Sequence, residues 1–426
     1  MICRGEGRSY GDAAMSRDGL VMLTSGLSGL CRFDASTGLL EAEAGMTIKA
    51  ILEHVVPLGW FPPVTPGTKH VSLGGAVAAD VHGKNHHRDG AIGAHVVDLE
   101  LMLADRRTVR CGPDRHADLF WATVGGMGLT GVITKVTLQL IPIESSSIAA
   151  QHSKAPNLES AFRWFENGAN DDHYTVAWID CVSSGRSLGR SVMMRGHHAR
   201  RGELGAYALS SHRTRPYRIP VECPSLLVNP LTVAVFNQAY YSVQGRKTSP
   251  FLVDYDRFFY PLDVVGNWNY LYGRRGFLQY QFVIPGAGAF DGVRRVLERV
   301  VERHCAIFLA VLKQFGPANP APLSFPDSGY TLALDLPMRG RDTLGLLDEL
   351  DDIVLAFGGR VYLAKDARLS SDRFSRMYPR LRDWLRVKRA VDPHGRFSSD
   401  LARRLGLHAG LAGQPAFDDV TLVEHA

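Results

Sequence analysis

The sequence lacks paired cysteines, long apolar runs and a strong charge of either sign. Its 6 cysteines include no C-x-x-C pair, which argues against a metal cluster or a disulfide framework and suits a reducing compartment. No segment approaches the roughly 18 apolar residues of a membrane span, and Met1 leads directly into a glycine-rich stretch, so neither a membrane helix nor a signal peptide is expected. A net charge of +5 allows an anionic substrate but gives no reason to expect nucleic acid. These absences predict a protein that is cytoplasmic or peripheral at a membrane.

Glycine is what the sequence has in excess, with 43 residues among 426, above the usual share of about 7%. Two stretches are dense in glycine and short hydroxyl side chains, residues 4–12 (RGEGRSYGD) and residues 66–87 (PGTKHVSLGGAVAADVHGKNHH). Such loops leave backbone amides uncovered and bind anions closely. No apolar strand precedes the first, so it is not a dinucleotide-binding G-x-G-x-x-G, and HGKNHH lacks acidic or cysteine ligands at zinc spacing. Both stretches predict a ligand-binding wall, and no metal is expected.

Apolar periodicity predicts the elements around these stretches. Thr47 is expected to cap a helix whose apolar residues are Ile48, Ile51, Leu52 and Val55. Alternation predicts strands at residues 39–44, 97–103, 108–111 and 132–143, and a short helix is expected at 118–121. The length predicts two domains, because a single core rarely grows beyond about 250–300 residues.

The second half of the chain has one regular segment and two irregular ones. From residue 277 the pattern predicts strands at 277–285, 306–315, 330–337 and 361–364, with helices at 293–301 and 344–357. This order is the split βαβ arrangement, a four-stranded antiparallel sheet with both helices on one face and the other face free to cover a ligand. Earlier, residues 195–218 are arginine-rich and predict an exposed basic loop, and the apolar residues 226–236 are too short to span a bilayer.

Seven motifs, taken together and in order, resemble one family over nearly the whole chain. They are RGEGRSYGD, PGTKHVSLGGAVAADVHGKNHH, DLFWATVGGMGLTG, GFLQYQFVIP, LKQFGPANPAPLSFP, YLAKDAR and the terminal MYPRL, DP and GRFSSDLARRL. The chain is similar to the FAD-dependent decaprenylphosphoryl-β-D-ribose 2-oxidases, the flavin subunits of the 2-epimerase that makes the arabinose donor of mycobacterial cell walls. That family belongs to the vanillyl-alcohol-oxidase-like (PCMH-type) flavoproteins.

The resemblance implies an α+β fold with a PCMH-type FAD-binding domain and a substrate domain whose antiparallel sheet is flanked by helices. The expected division is an FAD-binding domain at residues 1–145, a substrate domain at 146–359, a C-terminal return at 360–410 and a loose tail at 411–426. The family carries a further strand–helix–strand before the first glycine stretch, and the FAD-binding domain is expected to lack it here. The resemblance also makes the cell envelope or the periplasm an expected location of the protein.

The resemblance also implies which residues bind FAD. They are Gly5, Gly7, Arg8, Ser9, Tyr10, Gly11, Gly67, Thr68, Ser72, Leu73, Gly74, Gly75, Ala79, Asp80, His82, Gly131, Val132 and Tyr362. In the broader group a histidine in the first stretch often bonds covalently to the flavin, but Arg8 stands at that position. No cysteine lies in the second stretch, where Ala79 and Asp80 stand. We therefore expect FAD to be held non-covalently.

Oxidation of a secondary alcohol needs a hydride acceptor, a base for the hydroxyl proton and positive charge near the flavin. Lys365 matches the family's essential lysine, and His82 and Tyr10 match residues beside the ring, so each is a candidate base. The resemblance implies a substrate pocket whose lining residues are Lys84, Trp178, Gln279, Gln281, Lys313, Thr331 and Ala333. At the last two positions the family has an asparagine and a cysteine.

The resulting prediction is an enzyme that oxidises the 2-hydroxyl of a polyprenylphosphoryl ribose and passes the keto sugar to an NADH-dependent reductase. The basic loop and the apolar segment at 226–236 would then meet the lipid phosphate and the membrane surface. Two alternatives stay open: an FAD-dependent oxidase or dehydrogenase of another sugar, alditol or glycoside, and a non-catalytic relative without flavin.

Overall fold

Two antiparallel sheets organise this protein in its computed structural model. The structure describes residues 1–168, 172–205, 209, 217–224 and 228–407. The first elements are β1 (Ile2–Arg4), β2 (Val21–Leu23), β3 (Leu30–Asp34), β4 (Leu39–Glu43), α1 (Ile48–Val55), β5 (Trp60–Phe61), α2 (Leu73–Ala78), α3 (His86–Asp89), β6 (Val96–Met102), β7 (Thr108–Cys111), α4 (Ala117–Thr123), β8 (Val132–Gln139) and β9 (Ile141–Pro142).

The remaining elements form the larger sheet, its helices and a C-terminal helical segment. They are β10 (Ser147–Ala155), α5 (Leu158–Gly168), β11 (Tyr174–Ile179), β12 (Ser191–His198), β13 (Tyr217–Arg218), α6 (Pro230–Gln244), β14 (Phe251–Asp254), α7 (Tyr255–Phe259), β15 (Val265–Gly266), β16 (Phe277–Pro285), α8 (Ala289–Glu302), β17 (Ala310–Phe315), β18 (Gly329–Pro337), α9 (Arg341–Ala356), β19 (Arg360–Val361), α10 (Ser371–Met377), α11 (Leu381–Val391) and α12 (Asp400–Leu405).

The smaller sheet has the strand order β3-β4-β8-β6-β7, and its neighbouring strands are antiparallel. Helix α1 begins where the Thr47 side chain accepts a hydrogen bond from the Ala50 amide at 3.1 Å. Its apolar residues are buried in one core with those of the sheet. The predicted cap and stripe of this helix are confirmed, whereas the strand predicted over 132–143 is divided into β8 and β9.

The larger sheet has eight strands in the order β14-β10-β12-β11-β17-β18-β16-β19, all in antiparallel pairs. Its second half, with α8 and α9, is the predicted split βαβ unit. Its first half, which contains α5, has the same strand order read in the opposite direction across the sheet. The two units meet where β11 pairs with β17. The predicted four-stranded sheet is therefore half of a larger one.

The two faces of the larger sheet serve different purposes. Helices α5, α8 and α9 cover one face, and their apolar side chains share a single hydrophobic cluster with the sheet. The opposite face carries side chains such as Gln279, Gln281 and Lys313, which line a cavity. The prediction that helices leave one face of the sheet open is confirmed, and this face borders the cavity.

Three local predictions need correction. Residues 306–309 precede β17 rather than belonging to it, and the last strand ends at Val361, so Lys365 lies in the following turn. Residues 195–198 of the predicted basic loop pair within β12, because they complete its ladder with β10. In the apolar segment predicted at 226–236, residues 230–236 begin α6, with Pro230 as its first residue and Asn229 as its cap, and residues 226–227 lie outside the described residues. Residues 206–208 and 210–216 of that loop, and the tail from 408, lie outside the described residues.

The C-terminal helices pack back onto the first glycine stretch. The Arg404 guanidinium donates to Asp12 at 2.6 and 2.9 Å and to Asp366 at 2.8 Å. The Ser398 amide donates to the Met1 carbonyl at 2.9 Å. The beginning and end of the described chain therefore support each other. Among the described residues, no helix combines the length and hydropathy needed to cross a bilayer.

Candidate active site

A cavity of about 1230 Å³ lies between the glycine-rich stretches and the open face of the larger sheet. Its wall also includes the turn after β19, at Ala364 and Lys365. Pockets for drug-sized ligands have volumes of roughly 300–1000 Å³. The cavity therefore has room for a large cofactor together with a substrate.

The two glycine-rich stretches pack directly against each other along this wall. A Cβ atom on Gly5 would lie 2.0 Å from Ser72 Oγ, and one on Gly74 would lie 2.7 Å from Ala44 Cβ. The Ser72 side chain accepts a hydrogen bond from the Gly75 amide at 3.3 Å at the start of α2. Because side chains are excluded here, backbone forms the wall, which suits a ligand that brings phosphates close to amides.

Lys365 and Tyr10 meet because the turn after β19 is bonded to the first glycine stretch. The Tyr10 amide donates to the Ala364 carbonyl at 3.0 Å. A Cβ atom on Gly11 would lie 1.7 Å from the Asp366 carbonyl oxygen, so glycine is needed for this approach. As a result, Lys365 Nζ lies 4.0 Å from the centroid of the Tyr10 ring, within cation–π distance.

Asp335 adds a carboxyl group to the same end of the cavity. It is 1% exposed, and its Oδ1 accepts a hydrogen bond from Gln279 Nε2 at 2.5 Å. Burial raises the pKa of Asp335 and lowers the pKa of Lys365, while each opposite charge opposes the shift of the other. Burial also raises the pKa of Tyr10, so this phenol keeps its proton at neutral pH.

A second polar cluster surrounds His82. Its Nε2 lies 3.0 Å from Gln281 Nε2, which also donates to Thr331 Oγ1 at 3.1 Å, and its Nδ1 lies 3.2 Å from Lys313 Nζ. Burial and the nearby Lys313 hold the pKa of His82 well below its usual range, and burial lowers the pKa of Lys313 to about 7. The imidazole is therefore neutral. A neutral imidazole accepts at one ring nitrogen only, so His82 accepts either from Gln281 at Nε2 or from Lys313 at Nδ1.

A cation and an aromatic wall complete the pocket. Lys84 Nζ donates to the Phe258 carbonyl and lies 4.2 Å from the centroid of the Phe258 ring. Burial lowers the pKa of Lys84 to about 7. The Trp178 indole donates to the Phe308 carbonyl at 3.1 Å, and its ring centroid lies 4.7 Å from that of Tyr240. The cavity thus combines cationic groups with apolar surface.

The other histidines of HGKNHH have separate partners. His86 Nδ1 accepts a hydrogen bond from the Gly316 amide at 3.2 Å, and His87 Nε2 lies 3.1 Å from the Asp172 carbonyl oxygen. Over the described part of the chain, no three histidine, cysteine or acidic side chains are grouped as metal ligands. His86 and His87 thus connect the second glycine stretch to the larger sheet and its loops.

Most of the predicted site residues line the cavity. These are Gly5, Gly7, Arg8, Ser9, Tyr10, Gly67, Thr68, Ser72, Gly74, Gly75, Ala79, His82, Lys84, Gly131, Trp178, Gln279, Gln281, Lys313, Ala333, Tyr362 and Lys365. Five others do not line it: Gly11, Leu73, Asp80, Val132 and Thr331.

These five lie directly behind the wall. Leu73 is buried in the core beside the smaller sheet, and Val132 is buried at the start of β8. Asp80 has a buried carboxylate that accepts hydrogen bonds from the Gly93 amide, Asn319 and Ser324 at 2.5–3.0 Å. Sequence motifs identified positions at or near the cavity, but they did not separate the residues that line it from those that do not.

Asp335 is a residue that the sequence reasoning missed. It lines the cavity two residues after Ala333 on β18, whose alternate residues face the same side. The alternation of the strand therefore contained the signal. Asp263, a second cavity-lining acid that was missed, accepts a hydrogen bond from the Lys69 amide at 2.9 Å and lies in a loop without such a pattern.

Comparisons with known proteins agree with this geometry. The FAD binding domain family matches residues 1–112, and the D-arabinono-1,4-lactone oxidase family matches residues 336–405. Decaprenylphosphoryl-beta-D-ribose oxidase of Mycolicibacterium smegmatis is 38% identical over 96% of this chain and 89% of its own length. The chain belongs to the FAD-dependent oxidoreductase family that includes this oxidase. An uncharacterized protein of Streptomyces coelicolor is 37% identical over 85% of this chain and all of its own length.

Membership of this family makes the protein an FAD-dependent oxidoreductase acting on a CH–OH group. The cavity fits the cofactor on its own evidence. It has a wall of glycine backbone where Gly5 packs against Ser72, and the amines of Lys365 and Lys313 can place positive charge beside an electron-rich ring. Both features lie in one continuous space.

Proposed function

We propose that this protein oxidises the 2-hydroxyl of a polyprenylphosphoryl-β-D-ribose to the 2-keto sugar, the first half of epimerisation to the arabinose form for cell-wall arabinan. The observation that carries the proposal is the convergence of Lys365, Tyr10, His82 and Lys313 on one cavity beside the glycine-rich wall. The 38% identity to the mycobacterial oxidase supports the choice of substrate.

FAD is held by the glycine-rich wall and without a covalent bond. Arg8 occupies the position where related flavoproteins carry a flavin-linked histidine, and its guanidinium Nε donates to the His70 carbonyl at 3.1 Å. Bound FAD supplies the hydride acceptor for the reaction. Tyr362, whose hydroxyl donates to the Ala79 carbonyl at 2.9 Å, ties the C-terminal return to the second glycine stretch.

Lys365 is the base that removes the hydroxyl proton. Tyr10 is unsuited, because burial raises its pKa and keeps it protonated. Both ring nitrogens of His82 already have neighbours, Gln281 and Lys313, at 3.0 and 3.2 Å. Burial lowers the pKa of Lys365, so a larger fraction of its amine is neutral and able to accept a proton.

Lys84 and Lys313 bind the phosphate of the substrate. Both line the cavity, and burial lowers the pKa of each to about 7, so the negative charge of the substrate's phosphodiester would favour their charged forms. The prenyl chain leaves past α6, where Phe236 and Tyr240 line the cavity. The keto product then passes to an NADH-dependent reductase.

The test is to mix purified, FAD-loaded protein anaerobically with a prenylphosphoryl-β-D-ribofuranose and follow flavin absorbance. Bleaching, with formation of the 2-keto sugar, is the expected result. A yellow protein that stays yellow with this compound contradicts the proposal.

A second candidate is oxidation of a soluble sugar or sugar lactone. The match of residues 336–405 to D-arabinono-1,4-lactone oxidase favours it, as do Ala333 and Thr331 where the family has other residues. Peroxide formation with D-arabinono-1,4-lactone, but not with the ribose compound, would select this candidate. A preparation that stays colourless with added FAD would instead indicate a non-catalytic relative.

A further inference from the structure

Asp335 has a carboxylate oxygen whose partner the described residues do not supply. Its Oδ1 accepts from Gln279, but its Oδ2 is buried and makes no hydrogen bond within the described structure. The side chain is 1% exposed and lines the cavity. A buried acceptor without a donor is destabilising, and native proteins usually supply one from the protein, water or a ligand.

The position of Asp335 shows where that donor would come from. In the sheet, Gln279 lies opposite Asp335. Gln281, which contacts His82, lies opposite Ala333. Residues two apart on a strand are separated by roughly 7 Å, about the width of a sugar ring. Ala333, with its small side chain, leaves open space between the cationic cluster and the carboxylate.

We propose that Asp335 binds the sugar hydroxyl next to the one that is oxidised, the 3-hydroxyl of a ribofuranosyl phosphate, and so selects a vicinal diol. The inference rests on the proposed function and deepens it. A phosphate at Lys84 and Lys313 places C1 at one end of the pocket, and the 2-hydroxyl then lies toward Lys365. The neighbouring hydroxyl donates to Asp335 Oδ2 at the far end.

The competing role for Asp335 is to balance the charge of Lys365, since each group influences the ionisation of the other. The two roles differ in what they do to substrate choice. A hydroxyl-binding carboxylate rejects a substrate without that hydroxyl, because the analogue leaves a buried acceptor unpaired. A counter-charge affects the hydroxylated and deoxygenated substrates equally.

The experiment compares a short-chain prenylphosphoryl-β-D-ribofuranose with its 3-deoxy analogue. We expect wild-type kcat/KM to be at least about 100-fold lower for the 3-deoxy compound, since sites built to bind a hydroxyl discriminate strongly. In Asp335→Asn and Asp335→Ser this ratio should fall below about 10-fold, mainly through a higher KM for the hydroxylated substrate. Bound flavin and far-ultraviolet circular dichroism check that both variants fold.

The matched control is Asp263→Asn, which changes a cavity-lining aspartate whose Oδ2 already has the Lys69 amide as donor. This variant should keep the wild-type discrimination. Equal discrimination in wild type and the Asp335 variants, with only a shifted pH profile, would overturn the inference and leave Asp335 as the counter-charge of Lys365.

A binding measurement separates failure of this inference from failure of the proposed function. Ribose 1-phosphate and its 3-deoxy analogue are titrated into the oxidised protein and read by the change in flavin absorbance. If wild type turns over no ribose compound, the proposed function fails. The inference then stands if wild type, but not the Asp335 variants, binds the 3-deoxy analogue at least about 10-fold more weakly than ribose 1-phosphate. It falls if wild type binds both compounds equally.

Discussion

Lys365 differs from a surface lysine in the pH at which it loses its proton. Burial in the cavity lowers its pKa from the ordinary 10.5. As a base it must be neutral, so kcat/KM should rise with pH and level off above a midpoint that lies below 10.5. If Lys365 acted as a cation instead, activity would fall as pH rose through the same midpoint. Stopped-flow bleaching across pH 6 to pH 10, roughly the range over which a shifted lysine titrates, distinguishes the two.

Substitution of Lys365 tests the same role without a pH series. Lys365→Arg keeps the positive charge but cannot lose its proton, so the rate of flavin bleaching should fall by at least about 100-fold. FAD should remain bound, because the glycine-rich wall is unchanged. A variant that bleaches at close to the wild-type rate would show that charge alone is required and that the base lies elsewhere.

The presence of Arg8 predicts that FAD is attached non-covalently. With no histidine at this position and Ala79 and Asp80 in the second stretch, the flavin should be fully released when the protein is denatured with acid. The measurement is absorbance of the supernatant after precipitation. A yellow pellet would show a covalent bond and contradict the expectation.

Single residues also show what the sequence could and could not predict. Lys365, His82 and Tyr10 were predicted because each stands in a distinctive motif, and the structure places all three around the cavity. Asp335 was missed because the segment LALDLP looks like an ordinary strand with one polar residue. Its importance comes from an unpartnered oxygen, which only the three-dimensional arrangement reveals.

At the scale of elements, Arg404 joins three segments that the sequence keeps far apart. From α12 it donates to Asp12 at the end of the first glycine stretch, and to Asp366 and the Leu369 carbonyl after β19. Arg404→Met should weaken FAD binding by about 10-fold and slow bleaching, because Tyr10 and Lys365 lose their common support. The measurements are the dissociation constant of FAD and the rate of flavin bleaching at saturating FAD.

The control for that prediction is Arg376→Met. Arg376 lies on α10 and is 62% exposed in its side chain, with a single weak ion pair to Asp372 at 3.8 Å. This change should leave FAD affinity and bleaching rate within about 2-fold of wild type. Equal effects of both substitutions would mean that Arg404 has no special role in holding the stretch.

The elements also divide into those that periodicity predicts and those that it does not. Helix α8 was predicted because its buried residues, Val293, Val296, Leu297 and Val300, follow the helical repeat. Strand β11 was not predicted, because all of its residues are buried and its sequence shows no alternation of apolar and polar residues. The first split βαβ unit was therefore missed, and the eight-stranded sheet was expected to have four strands.

At the scale of the whole molecule, α6 exposes apolar side chains beside the cavity. Leu231, Val235 and Val243 are 75%, 65% and 58% exposed, and Phe236 on the same helix lines the cavity. If the substrate is presented from a membrane, Val235→Asp should reduce sedimentation with anionic vesicles by several fold, since an apolar contact is lost and a repelled charge added.

The matched control for vesicle binding is Leu344→Asp. Leu344 is 38% exposed on α9, which covers the face of the larger sheet opposite the cavity. This variant should bind vesicles like wild type. Equal losses for both variants, or no binding by wild type, would contradict a contact through α6.

The paired halves of the larger sheet have a consequence for how substrate range can change. Beneath the cavity, the second half carries Gln279, Gln281, Lys313 and Asp335, whereas the first half carries mainly apolar residues, Ala150, Val176, Met194 and Leu252, together with His152. In the proposed reaction the second half would contact the sugar, while the first half offers a largely apolar surface. Substitutions in the first half can lengthen or shorten the bound chain while the proton-transfer groups stay in place, so variants with new chain preferences should be obtainable without rebuilding the chemistry.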